Sequence, residues 1–310
     1  MNLDQLPAFF KAISDPTRIA ILQVLGTGAY GVMELSEMLA VKQSGMSHHL
    51  KVLSQAGWVE KRREGNTIFY RRSLGDTLAM QQKLFRQLDT QPLDQAVFEQ
   101  QQRISEERLQ AARKFFIEHA EEFELHQERI VLFENYGPEA LQLLDSLNRS
   151  PQSNVLEVGP GKGEFLAALA QRFTSVTGLD ISPAMLKQAD EQVHNLENVE
   201  LIEGNTELLE QQGRRFDIIF YNMVLHHVPM PESEIAQCAK LLKPKGLLIV
   251  TDLCQHEQEW AREQCGDQWL GFEPDELHLW AQRHGFKHNQ SRFLALRNGF
   301  QVQTQVYSAA

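Results

Sequence analysis

The stretch from Val155 to Gly163, V-L-E-V-G-P-G-K-G, limits the fold more than any other part of the chain. Its short apolar run reads as a buried strand and its three glycines as a tight loop. Phe165, Leu166 and Leu169 then supply the inner face of a helix. Glycine adopts backbone conformations closed to other residues and lets N–H groups approach a ligand; a purely structural turn is the competing explanation. Ser175 to Leu179 follows as a second strand and ends in Asp180, 17 residues past Gly163, where a carboxylate grips both hydroxyls of a ribose. Together these segments predict a Rossmann-like sheet and a nucleoside ligand.

The loop chemistry narrows the nucleoside. A dinucleotide fingerprint places glycine at 164, where this chain has Glu164, so a pyrophosphate fits poorly. Glu157, just ahead of the loop, disfavours phosphate and suits a cationic amino group. The pattern E-x-G-x-G-x-G resembles motif I of the class I S-adenosylmethionine-dependent methyltransferases. Val199 to Gly204, Phe216 to Tyr221 and Leu241 to Asp252 continue the likeness in order, over about residues 110 to 310. The resemblance implies a seven-stranded mixed sheet with S-adenosylmethionine or S-adenosylhomocysteine as ligand. Gly159, Gly161 and Gly163 would line its methionine and ribose side, Asp180 hold the ribose, Ile181 pack on adenine and Asn222 border the methionine end. Asn205 and Thr206 fall beside the adenine amino group; aspartate is usual at the first, but the Asn205 side-chain oxygen also accepts a hydrogen bond.

Catalysis is harder to read. Tyr221-Asn222-Met223-Val224 lacks the proline-proline-aromatic sequence of methyltransferases acting on nucleic-acid amino groups. The L-H-H-V run at Leu225 to Val228 is similar to small-molecule methyltransferases of quinone biosynthesis. His226, His227 and Asp252 are the candidate catalytic residues, against the alternative of a histidine hydrogen-bonded to a nearby loop. His256, Glu259, Trp260, Arg262, Asp267 and Trp269 to Phe272 form a later aromatic and charged group, a lid or a substrate pocket. No metal is expected, although Cys254 and Cys265 flank His256 and leave a thiolate site as an alternative. Cys238 completes three cysteines at wide spacing, which suggests reduced thiols and no disulfide framework.

Charge separates the two ends of the chain. Residues 1 to 90 carry 11 Lys and Arg against 8 Asp and Glu, a balance of +3, and the remainder is at −14. DNA contact therefore belongs near the N-terminus. There, Asp15-Pro16-Thr17-Arg18 starts a helix whose Ile19, Leu22 and Leu25 would face inward, with proline where its missing N–H costs nothing. Gly31 to Leu39 and Gln43 to Gln55 form a helix pair around a three-residue turn. In the second of these, Met46, Leu50 and Leu53 recur at helical spacing. Lys42, Gln43, Ser44, Ser47, His48 and Lys51 are left for a major groove or for water. Trp58 to Arg63 and Thr67 to Arg72, joined at Glu64-Gly65-Asn66, form a hairpin on which Lys61, Arg62, Arg63, Arg71 and Arg72 cluster. Arg62 and Arg63 are its candidate DNA contacts.

The residues D-P-T-R, S-x-x-S-H-H-L-K-V-L and A-G-W-V resemble the ArsR/SmtB winged-helix family over residues 3 to about 88. That resemblance implies a homodimer joined through Asp4 to Ser14 and Leu74 to Leu88, on a palindromic operator. Gly31 to Leu39 has no cysteine and Leu74 to Leu88 no histidine, so the metal sites of that family are missing. The fold expectation is thus multidomain. It comprises a mainly α winged helix-turn-helix at 1–90, a helical connector at 91–150 and an α/β Rossmann-like class I methyltransferase domain at 151–310. No stretch is apolar enough to cross a membrane, and residues 1–20 lack a secretory pattern, so a cytoplasmic location is expected. Similar fusions look like regulators of the methionine and adenosylmethionine cycle. This implies a repressor whose operator affinity follows the adenosyl ligand; the alternative is an active small-molecule methyltransferase with its own DNA-binding module.

Overall fold

The computed structural model describes residues 3–73, 79–119 and 126–310. The chain divides into two compact units, Met1–Arg108 and Leu109–Ala310, and the helix Gln95–Glu118 runs through the division.

In the first unit, Asp15 caps the helix Pro16–Val24 by accepting the Arg18 N–H at 3.1 Å. That helix buries Ile21, Leu22 and Val24, and its C-cap Leu25 is buried too, while Ile19 is only half-buried; the inward stripe lies slightly off the expected one. Helices Val32–Met38 and Gln43–Gln55 follow, contributing Leu35, Met46, Leu50 and Leu53 to the core. Strands β1 (Tyr30–Gly31), β2 (Val59–Glu64) and β3 (Thr67–Arg72) form a sheet in the order β1-β3-β2. Glu64 pairs with Thr67 across a Gly65-Asn66 turn, and Gly65 takes the positive φ of 57° the turn requires. Trp58 closes the core by stacking on Phe9 and donating its indole N–H to the Phe9 carbonyl at 2.9 Å. Of the expected helix Leu74 to Leu88, residues 79–88 belong to the helix Ala79–Asp89, and 74–78 lie outside the described residues.

The hairpin corrects one expectation about charge. Successive strand residues face opposite sides, so Lys61 and Arg63 are exposed while Arg62 and Glu64 point inward together. Arg62 is 3% exposed and paired with the buried Glu64 carboxylate, so within this chain it faces the protein and not a DNA surface. Arg72 is turned inward too, donating to the Leu22 carbonyl at 2.8 Å and to Asp89 at 2.7 Å. Arg71 Nε donates to Glu60 Oε1 at 2.7 Å, so three of the five members of the basic cluster read from sequence pair internally.

The second unit is built on a seven-stranded mixed sheet in the order β6-β5-β4-β7-β8-β10-β9. Its strands are β4 (Asn154–Val158), β5 (Ser175–Asp180), β6 (Val199–Glu203), β7 (Phe216–Asn222), β8 (Leu242–Leu253), β9 (Phe286–Ala295) and β10 (Gln301–Ala309). The first five are parallel, and β10 runs antiparallel between β8 and β9. Val155, Phe165, Leu166, Leu169, Ile218, Phe220 and Ile249 form the core with Leu143 of the helix Phe133–Ser146. From β4 the chain steps to β5 on one side and later to β7 on the other. The strand order thus reverses at β4, and the crevice at the carboxyl ends of these strands is where open α/β sheets bind ligands.

Candidate functional site

The loop after β4 lies at this reversal point. Gly159, Gly161 and Gly163 all take positive φ, at 67°, 53° and 81°. The loop is tied down by Gly159 N–H donating to the Leu179 carbonyl and Gly163 N–H to the Pro160 carbonyl, both at 2.8 Å. A Cβ at Gly163 would stand 2.9 Å from the Ala189 carbonyl oxygen, whereas one at Gly161 would meet nothing within 4 Å. Gly163 is thus needed for packing, and Gly161 leaves open space.

Glu157, one residue before the end of β4, is 1% exposed. Its Oε1 accepts from Asn222 Nδ2, at the end of β7, at 3.1 Å. Its Oε2 is buried without a hydrogen-bond partner among the described residues, as is Asn222 Oδ1. Burial pushes the Glu157 carboxyl up to about 8. A buried carboxylate with an unused oxygen is costly unless a donor arrives, and a cationic amino group is the natural one. At the end of β5, Asp180 Oδ1 accepts the Ser182 N–H at 2.8 Å, and burial still raises its carboxyl to about 6. Its neighbour Ile181 is half-buried. Tyr136, which nothing in the sequence singled out, feels the charges of Glu157, Glu164 and Asp252. Burial and those charges raise its phenol.

The two residues expected beside adenine, Asn205 and Thr206, make contacts within the protein. Asn205 Oδ1 caps the helix Thr206–Gln211 by accepting the Leu208 N–H at 3.1 Å. Thr206 is buried and donates to Glu234 Oε2 at 2.8 Å, an oxygen that also accepts from the Tyr221 hydroxyl at 2.8 Å. Thr206 is thus tied through Glu234 to Tyr221 of β7, while the Asn205 oxygen serves as a helix cap.

On the first unit, Lys42, Gln43, Ser44, Ser47, His48 and Lys51 are all exposed, opposite the buried Met46, Leu50 and Leu53. Arg63 is exposed on the wing, with its Nε donating to the Gly65 carbonyl at 2.9 Å. The structure presents seven of the eight DNA-side candidates to solvent and withholds Arg62.

The profile of a family described as a methyltransferase domain matches residues 125–302. The chain belongs to the methyltransferase-domain family. Residues 15–61 match the family of bacterial regulatory proteins of the arsR type, so an ArsR helix-turn-helix precedes a class I methyltransferase fold. Among similar proteins, the ubiquinone biosynthesis O-methyltransferase of Idiomarina loihiensis is 36% identical over 110 residues, covering 34% of this chain and 44% of that enzyme. The enzyme of the same name from Coxiella burnetii (strain Dugway 5J108-111) is 27% identical over 165 residues, covering 49% of this chain and 70% of its own. A solved structure of magnesium protoporphyrin IX methyltransferase from Synechocystis PCC 6803 with bound SAH is similar at a TM-score of 0.53 and 16% identity. It covers 65% of this chain and 99% of that one, a likeness of fold.

Within the methyltransferase domain, His226 and His227 sit on a short helical turn, Leu225–His227, just past β7, and are both buried. His226 Nδ1 lies 2.7 Å from Asp252 Oδ1, near the end of β8. Burial opposes a charge on His226, but the carboxylates of Asp252 and Asp267 outweigh it and raise the imidazole to about 9. Burial and the neighbouring His226 push His227 well down. Asp267, read from sequence as part of a distal group, lies against both histidines; no local pattern announced this. His256 and Trp260 pack instead on Phe300, at ring separations of 4.7 and 6.0 Å. Burial raises the Cys254 and Cys265 thiols to about 11 and 12, which works against a thiolate site.

Proposed function

We propose that this chain is a DNA-binding transcriptional regulator whose operator affinity is set by S-adenosylhomocysteine or S-adenosylmethionine in the crevice of its methyltransferase domain. The observation that carries the ligand is Glu157, a buried carboxylate with one oxygen left unused beside a loop of positive-φ glycines. Glu157 would hold the amino group of the methionine moiety with Asn222 beside it, the glycine loop would pass under the ligand, and Asp180 would take the ribose hydroxyls. Ile181 would cover one face of the adenine. The DNA side is supported by the exposed polar face of the helix Gln43–Gln55 together with Arg63. Phe10 and Met80, on the first and fifth helices, are 42% and 51% exposed, as residues that meet a second copy across a two-fold axis would be. No helix among the described residues is long and apolar enough to cross a membrane.

A ligand changes DNA affinity only by the difference in its affinity for two states of the protein. The test is fluorescence anisotropy on a duplex selected by the protein from a random pool, titrated with each adenosyl compound. At least one should shift half-saturation tenfold or more. Unaltered DNA binding with the ligand bound, shown by calorimetry on the same sample, overturns the regulatory assignment.

A second reading, methyl transfer to a small molecule, is favoured by the His226–Asp252 pair near the carboxyl ends of β7 and β8. Its test is transfer of a labelled methyl group from S-adenosylmethionine into small molecules of a cell extract, and loss of that transfer in Asp252→Asn.

A further inference from the structure

We propose that His226, His227 and Asp267 form a binding site for one divalent cation of the zinc type, with Asp252 holding His226 in place from behind. His226, His227 and Asp267 are all buried, and each offers one ligand atom within 4.8 Å of the other two. Asp267 Oδ1 is 3.8 Å from His226 Nε2 and 3.6 Å from His227 Nδ1. Both separations are too long for a hydrogen bond. They are close to the roughly 3.4 Å between neighbouring ligands of a tetrahedral ion with bonds of about 2.1 Å.

The orientation of His226 follows from its surroundings. Asp252 Oδ1, which also accepts the Leu253 N–H at 2.7 Å, accepts a hydrogen bond from His226 Nδ1–H and so aims Nε2 toward Asp267, where a cation would replace the Nε2 proton. His226 Nε2 is fully buried with no hydrogen-bond partner among the described residues. A carboxylate that orients a histidine through its far nitrogen is the usual support behind a metal-bound imidazole. The backbone builds the site from distant segments. Met223 takes a φ of 55° and redirects the chain after β7, while Gly266, at φ 71°, ends the helix Trp260–Cys265 just before Asp267. The segment after Asp267 is locked onto the histidine turn, because Gln268 and Trp269 both donate their N–H to the His226 carbonyl, at 2.9 and 3.0 Å. Two imidazoles and one carboxylate favour zinc-type ions over magnesium or calcium, and a dication balances the charges of Asp252 and Asp267. Three protein ligands leave at least one coordination position for water or another small donor.

This site does not depend on the regulatory proposal, and its test reads metal directly. Full-length protein, stripped with a chelator and reloaded with zinc sulfate, should retain one zinc per chain after gel filtration. Cobalt loading should produce the visible absorption of a low-coordinate cobalt site. Asp267→Asn and His226→Gln should each weaken zinc binding by 100-fold or more, and Asp252→Asn by 10- to 100-fold. Zinc should raise the melting temperature of the unaltered protein but not of Asp267→Asn, a comparison that stands even if His226→Gln folds poorly. Retention of less than a tenth of an equivalent by the unaltered protein overturns the proposal. So does zinc retained by Asp267→Asn but lost from Cys265→Ser, which would move the ion to the thiols.

Discussion

Replacing Glu157 by glutamine separates ligand recognition from folding, because the two respond in opposite directions. The substitution keeps the side-chain volume and an oxygen for Asn222 Nδ2, which donates to Glu157 at 3.1 Å, and removes only the charge. Burial raises the Glu157 carboxyl from 4.5 to about 8, so without ligand the folded chain holds a proton that the unfolded chain releases. Stability from this group is therefore complete below pH 4.5 and is lost as pH rises through 8. The loss is about 1.4 kcal/mol per pH unit and on the order of 5 kcal/mol in all. Glutamine has no such loss, so ligand-free Glu157→Gln should melt at or above the unaltered protein at pH 8.5. Ligand binding should move the other way. A charge-assisted hydrogen bond from ammonium to carboxylate contributes about 1.5–3 kcal/mol, or roughly 10- to 100-fold in affinity. Because the bound state requires ionised Glu157, affinity of the unaltered protein should climb with pH up to about 8 and then level, whereas the variant should show no such climb. Calorimetry with S-adenosylhomocysteine at pH 6, 7 and 8, paired with melting curves, reads both effects. A variant that binds within twofold of the unaltered protein at pH 8 would refute the assignment of Glu157 to the ligand's amino group.

Five further substitutions have outcomes that follow from the structure. Arg62→Ala removes the buried Arg62–Glu64 ion pair and should cost about 3–5 kcal/mol in urea unfolding. Arg63→Ala should stay within about 0.5 kcal/mol and instead weaken DNA binding; equal stability losses would contradict the inward pairing. Gly163→Ala combines a φ of 81° with a Cβ 2.9 Å from the Ala189 carbonyl, so it should lose about 1–2 kcal/mol or more and lower adenosyl affinity. Gly161→Ala meets no neighbour within 4 Å and should show the backbone cost alone, a contrast readable by thermal melting. Leu50→Ala, in the core beneath the exposed face of its helix, should destabilise the first unit by about 2–5 kcal/mol, seen in the near-ultraviolet dichroism transition of Trp58.

What the sequence determined by itself was whatever depends on neighbours along the chain. Helical and strand periods are local, so the faces of Gln43–Gln55, the hairpin and the parallel strands were legible. The glycine loop was legible because only glycine adopts those φ values without strain. Glu157 and Asp180 could be singled out as candidates because both fall at the ends of strands that the sequence pattern marks. Tertiary structure decided which charges are satisfied internally. Arg62 and Glu64 are two residues apart and share a strand face, so the pairing was available in the pattern. That the face points inward depends on what packs against it. Arg72 needed Leu22 and Asp89, and Thr206 needed Glu234, partners separated by 17 to 50 residues that no period links. The joining of His226 with Asp252 and Asp267 is of the same kind. Strand order places the ends of β7 and β8 side by side, and only the closed loop after Trp260–Cys265 brings in the second carboxylate. Side-chain chemistry is written in the sequence, but a site of converging groups exists only once long-range packing has paid the entropy of bringing them together.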